Sequence, residues 1–242
     1  MSNNGMLRRA TAASGRSPVV GGHQLSIADV IIKTAACLAL VIVAAVPGWI
    51  FLSGAFILYL GILIVTMVVG ILMMRKAPIP AAFALGYSAL LGLIVGAFSH
   101  SAVAYGGYVS LIPQAVLGTA AGTVGMLAVY ATPFGKKASK ALKLFFGVMV
   151  GYLIVGVFSV LAAIFFGTGD GWGFYGIDGF GLLLCVFGVA LACWSLLIDF
   201  GQTDRALQAG VSEEYAWTFA ASLAASIVWL YLEILRLLAI SR

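Results

Sequence analysis

The stretch SIVWLYLEILRLLAISR, Ser226–Arg242, is apolar throughout except for Glu233 and, three residues on, Arg236. In water such a pair is ordinary surface decoration. In hydrocarbon a charged side chain is costly enough that a functional role is the default expectation. What the segment means therefore depends on the solvent around it, and the composition identifies that solvent. The chain is 63% hydrophobic and 9% charged, against about 45–50% and about 25% in soluble domains. Its mean hydropathy is +1.13. Apolar runs long enough to cross a bilayer, which takes roughly 20 residues per helix, recur along nearly all of the 242 residues. The sequence is that of an all-α membrane protein.

Seven spans are expected, at about 28–46, 50–74, 80–99, 109–131, 142–166, 179–200 and 214–240. Pro47-Gly48 divides the first two, and RKAPIP the second from the third. SHSAVAYGG, TPFGKKASK and the glycine-rich, aromatic GTGDGWGFYGID separate later ones. The last of these loops has no phosphate-binding glycine pattern following a strand. Residues 1–25 read as a flexible cytoplasmic tail, and 26–242 as the transmembrane domain. LRRA near the start is followed by a long polar gap, and Lys33 interrupts the first apolar run, so no cleaved signal is expected. SIAD opens the first helix, with Ser26 as cap and Asp29 reaching back to it. Asp29 and Lys33 also stand at i, i+4, where they can pair.

Lys and Arg sort the loops. Arg8, Arg9 and Arg16 precede the first span; Arg75 and Lys76 follow the second. Lys136, Lys137, Lys140 and Lys143 follow the fourth, and Arg205 the sixth. The alternate loops offer His100, Asp170 and Asp178 instead. This bias puts the N-terminus in the cytoplasm and, with seven spans, the C-terminus outside. It accounts for the net charge of +5. No basic stripe interleaved with aromatics stands in a polar segment, so no nucleic-acid partner is expected. Cys37, Cys185 and Cys193 all lie in apolar runs and read as packing residues rather than a disulfide framework or zinc site. Gly92/Gly96, Gly118/Gly122 and Gly147/Gly151 have the small-residue spacing that permits close helix approach.

Five of the eight acidic residues, Asp29, Asp170, Asp178, Glu213 and Glu214, fall at span ends or in loops where water solvates them. Asp204 and Arg205 belong to the link between spans six and seven. Two remain: Asp199 at the cytoplasmic end of CWSLLID in span six, and Glu233 well inside span seven. A carboxyl in a low-dielectric site has its ionised form disfavoured. Two such acids between helices can hold protons, or exchange them for a hard, oxygen-preferring cation such as calcium. The simpler alternative pairs Glu233 with Arg236 on its own helix and leaves Asp199 capping the link. No nucleophile or metal-binding histidine accompanies the acids, so no enzyme is expected. His23 lies in the tail, and His100 at a loop edge, where solvation is expected.

VWLYLEILRLLAI, preceded by IDFGQTDRALQAG, resembles the end of the Bax-inhibitor-like family, in its bacterial branch. DVIIKTA, APIPAAFALGYSALLGLIVGAFS and QAVLGTAAGTVGMLAVY, in this order, extend the resemblance from about residue 16 to the end. The resemblance implies a seven-helix bundle with helix seven surrounded by the others, in the bacterial inner (plasma) membrane. It also implies a pH-sensitive calcium leak channel, in which acids on helices six and seven form a sensor latched by an arginine at the cytoplasmic end of helix two. These roles fall on Asp199, Glu233 and Arg75. Arg236 is a supporting residue close enough to the outer face to snorkel, and calcium is the ion that Asp199 and Glu233 would take. Glu233 stands where the family has aspartate, and Leu91 where this branch usually has glutamate. Aligned from the C-terminal end instead, Ser226 falls opposite the family's helix-seven acid. The bilayer is the expected partner and a monomer the expected state. The alternative reading is a non-transporting scaffold or regulator that binds other membrane proteins, for example in quality control.

Overall fold

A computed structural model describes residues 23–52 and 54–241. Among them, seven helices are long and apolar enough to cross a membrane. They are α1 (Ile27–Phe51), α2 (Phe56–Arg75), α3 (Ala81–Gly106), α4 (Leu111–Tyr130), α5 (Leu142–Phe166), α6 (Asp178–Gln208) and α7 (Ala216–Ile240). A short helix, Pro133–Ala138, and 3-10 turns at Thr168–Gly171, Gly173–Gly176 and Glu213–Tyr215 connect them. The chain is thus an all-α protein of seven spanning helices. Large apolar side chains such as Ile42, Ile57, Leu117 and Phe165 point outward, as they must where the surroundings are lipid. The expected tail, residues 1–25, lies outside the described residues as far as position 22.

The helices form two compact units. The first comprises the described residues through Ser101 together with Asp199–Val228; the second comprises Ala102–Ile198 with Trp229 onward.

In the first unit, α1 opens on the expected capping box. Ser26 Oγ accepts from Asp29 N at 3.2 Å, and Ser26 N donates to the Asp29 carboxylate at 3.1 Å. Lys33 reaches Glu213 at 3.0 Å and lies 5.8 Å from the Trp217 ring centroid, so Glu213 is an ion-pair partner rather than a merely solvated acid. His23–Leu25 run antiparallel to 211–213. Leu25 N donates to Val211 O at 2.9 Å, and Glu213 N to His23 O at 3.1 Å. Leu25 then packs with Val30, Val211, Tyr215 and Phe219. Because the Lys33–Glu213 pair is partly exposed, Lys33→Met should cost under about 1 kcal/mol in thermal unfolding; a larger loss would mean that the pair organises the bridge.

Pro47-Gly48 does not divide α1 from α2: the helix runs on to Phe51. Proline is tolerated in a spanning helix, and here the chain is held by a tight crossing with α3. A Cβ on Gly48 would come 2.8 Å from Leu93 Cα; one on Gly92 would come 2.6 Å from Ala44 Cβ; one on Gly96 would come 2.6 Å from Trp49 N. The expected Gly92/Gly96 contact surface therefore has its partner within the chain. The break falls later, at Gly54, where φ is +103°. Helix α3 is longer than expected and takes in most of SHSAVAYGG. His100 is accordingly half-buried in a helix, edge-on to Trp49 at 5.0 Å, and not at a loop edge.

In the second unit, Gly118 and Gly122 of α4 face Ile234 and Leu230, at 3.2 and 3.1 Å from a built Cβ. Gly147 and Gly151 of α5 have nothing within 4 Å. The glycine-rich loop folds onto α5: Phe174 N donates to Ser159 Oγ at 2.9 Å, and Trp172 packs on Tyr105 at 5.0 Å. Gly173, at φ +61°, lies so close to Ser159 that a side chain there would collide with it. The link between α6 and α7 is shorter than expected, because α6 continues through Asp204 and Arg205 to Gln208; Gln208 Nε2 donates to Asp204 at 3.0 Å. No residue of α7 is exposed.

Candidate functional site

Both singled-out acids are buried, Asp199 at 7% exposure and Glu233 at 2%. Each has its own set of partners.

In the first unit, Asp199 sits on α6 and accepts two hydroxyl hydrogen bonds from α7. Ser222 Oγ donates to Oδ1 at 2.7 Å, and Ser226 Oγ donates to Oδ2. Ser222 and Ser226 are one helical turn apart and so share a face. The carboxylate thus has a donor on each oxygen and no cation among these bonded partners. Tyr87 of α3 is a titratable group within electrostatic range of it.

In the second unit, Glu233 of α7 is saturated with donors. Oε1 accepts from Tyr152 Oη at 2.9 Å and from Trp229 Nε1 at 3.0 Å, while Oε2 accepts from Arg236 Nη1 at 3.0 Å. Tyr152 comes from α5, and Trp229 stands one turn before Glu233 on α7. The Arg236 guanidinium does not snorkel outward. It lies 4.5 Å from the ring centroid of Tyr175, in the folded loop, and also approaches Tyr152 Oη at 3.4 Å. Gly188 of α6 makes this arrangement possible, because a Cβ there would run into the Tyr152 hydroxyl and the Glu233 carboxylate. The local ion pair weighed from spacing alone is therefore present, buried and clamped by two tyrosines.

Arg75 closes α2 as its last residue and is exposed. Cys37 and Cys185 are buried, Cys193 is half-buried, and all three are free. Among the described residues, no three His, Cys, Asp or Glu side chains cluster as a metal centre.

A family model described as Bax inhibitor 1 like matches residues 3–242. The chain belongs to this family. Membership covers both acids, the loop that carries Tyr175 and all seven spans. No curated protein matches the chain.

Sequence reasoning missed Ser222, Tyr152 and Trp229 as partners. One signal could have found the residues of α7. Ser222, Ser226, Trp229, Glu233 and Arg236 follow one another in steps of four, three, four and three, which places them on a single stripe of the helix. Tyr152 left no such trace, because its role depends on how α5 packs.

Proposed function

We propose that this Bax inhibitor 1 like protein provides a cation leak pathway across the membrane, calcium being its expected substrate, gated by protonation of Asp199 and Glu233. The observation that carries this reading is the burial of two carboxylates in spanning helices, where a charge without a role is selected against by its cost. Protonation at low pH would remove the charge on Asp199 and loosen Glu233 from Arg236. At higher pH the ionised acids would hold their donors and close the path. Arg236, bonded at 3.0 Å, does for Glu233 what the family resemblance assigns to Arg75. Arg75 is retained in the proposal as a second latch, at the end of α2. The plasma membrane, with the N-terminus in the cytoplasm, is the proposed location, on the strength of the Lys/Arg sorting of the loops. A non-enzymatic role is part of this proposal.

The test is calcium flux into proteoliposomes between pH 6 and 8. Flux should rise toward low pH, and Asp199→Asn should flatten that dependence by holding the site neutral. Flux that keeps its full pH dependence in both Asp199→Asn and Glu233→Gln would exclude gating by these acids.

One observation favours the alternative, a non-transporting scaffold that binds other membrane proteins. Gly147 and Gly151 present an open small-residue face on α5, with nothing within 4 Å. Such faces suit close approach of a partner helix. A stoichiometric membrane partner lost on Gly151→Leu, with no ion flux from the purified protein, would support it.

A further inference from the structure

The loop between α5 and α6 has five glycines in the ten residues from Gly167 to Gly176. Gly167, Gly169 and Gly173 take positive φ, at +62°, +61° and +61°. Ordering glycine costs more chain entropy than ordering any other residue, so this loop stays folded through the contacts it makes. One buried hydroxyl supplies two of them. Ser159 Oγ of α5 accepts from Phe174 N at 2.9 Å and donates to Trp172 O at 3.4 Å. Tyr175, 7% exposed, turns into the helices, and its ring covers the Arg236 guanidinium. Glu233 beneath it cannot take a proton while all its donors stay in place. A neutral carboxyl must itself donate, and of Tyr152, Trp229 and Arg236 only the Tyr152 hydroxyl can turn to accept. Arg236 is affected as well. Its electrostatic neighbours are Glu233 of its own helix, then Tyr152 of α5, Tyr175 of the loop and Cys185 of α6, and Glu233 is the carboxylate among them. Neutralising Glu233 therefore leaves a buried guanidinium without that counter-charge, which is costly unless water reaches it.

We propose that residues 167–177 form a lid over Glu233 and Arg236, latched by Ser159, and that the lid opens when Glu233 takes up a proton. The structure shows it closed. Lifting Tyr175 off Arg236 lets water solvate the guanidinium, so the charge is no longer stranded. The Glu233–Arg236 pair then becomes an exposed one, which contributes little. Coupling of this kind is reciprocal: releasing the latch favours the neutral acid, as neutralising the acid favours release. The glycines set how tightly the lid shuts. A Cβ at Gly173 would collide with Ser159, one at Gly169 with Gly176, and one at Gly181 with the Tyr175 carbonyl. The closed lid thus lies against α5 and the start of α6 at distances that only glycine permits.

The inference rests on the gating role given to Glu233 in the leak reading. Its test reads water access and not flux, so the two can fail separately. Cys185 of α6 is a native reporter: it is fully buried, shares a cluster with Tyr152 and Tyr175, and lies within electrostatic range of Arg236 and Glu233. Cys37 of α1 is equally buried and serves as the internal control. The full chain in detergent at pH 8 is treated with a charged, water-soluble methanethiosulfonate, and modification of each cysteine is followed by mass spectrometry. Where opening and closing are fast, the labelling rate follows the open population. Ser159→Ala should raise labelling of Cys185 about fivefold, the effect of losing a hydrogen bond from the closed state. Glu233→Gln, which holds the acid neutral, should raise it at least about tenfold. Neither should change Cys37. Labelling of Cys185 at the native rate in Ser159→Ala would overturn the latch, and the native rate in Glu233→Gln would overturn the coupling to the acid. A rise at both cysteines would place the change in the fold as a whole and overturn the proposal too.

Discussion

Arg236→Leu should destabilise the protein by about 3–5 kcal/mol, because it removes one member of a buried ion pair and leaves the other charged and unmatched. Glu233 is 2% exposed, and of its three donors only Arg236 carries a charge. The substitution also empties the space over the Tyr175 ring. The comparison that identifies the cause is the double variant Arg236→Leu/Glu233→Gln. With no charge left to bury, it should regain most of the loss, as ion pairs replaced as a unit generally do. Denaturant unfolding in detergent, followed by tryptophan fluorescence, measures both. Equal instability in the single and double variants would mean that packing over Tyr175 is the larger contribution. The same pair of variants bears on gating. If Arg236 holds Glu233 in its closed state, Arg236→Leu should raise calcium flux at pH 8 at protein amounts matched for folded material.

The second large effect lies far from any charge. Gly96→Leu should prevent the native crossing of α1 and α3, with loss of folded protein in detergent and a cost of about 3 kcal/mol or more, at the upper end of overpacking. The atoms a side chain would meet at Gly96 are the Ala45 carbonyl and Trp49 N, both backbone, which cannot rotate aside. Gly48 and Gly92 are limited in the same way by backbone atoms of Leu93 and Val41. The control is Gly151→Leu on α5, with nothing within 4 Å, which should fold normally and cost under about 0.5 kcal/mol. If the two variants behaved alike, small-residue spacing would carry no information about packing in this protein.

These glycines show how far the sequence could be read. The spacing at Gly92/Gly96, Gly118/Gly122 and Gly147/Gly151 is identical, and nothing local separates the three pairs. One is pressed against backbone, one is tight against the side chains of Ile234 and Leu230, and one is open. Pro47-Gly48 is a related case. Its local chemistry signals a break, yet Gly48 is needed inside the helix because Leu93 passes over it. Helix ends at SHSAVAYGG and DRALQAG were set too early, because polar residues there remain helical while they pack or pair within the protein. The capping box at Ser26–Asp29 was legible because both of its partners lie within one turn.

The two acids divide along the same line. That Glu233 and Asp199 are costly follows from the sequence alone, since the energy of burying a carboxylate depends on the solvent, and 63% hydrophobic residues fix the solvent. The Glu233–Arg236 pair was also within reach, because residues three apart on a helix are neighbours by the geometry of the backbone. Which donors complete each site depends on contacts between helices. Ser226 rather than another acid meets Asp199, and Tyr152 reaches Glu233 from eighty-one residues away in the chain. Composition and periodicity determined that this chain is a seven-span membrane protein carrying two buried carboxylates. The tertiary structure decided that one is neutralised by an arginine and the other is surrounded by hydroxyls, because the rotation and depth at which helices pack are set by side-chain contacts distant in sequence.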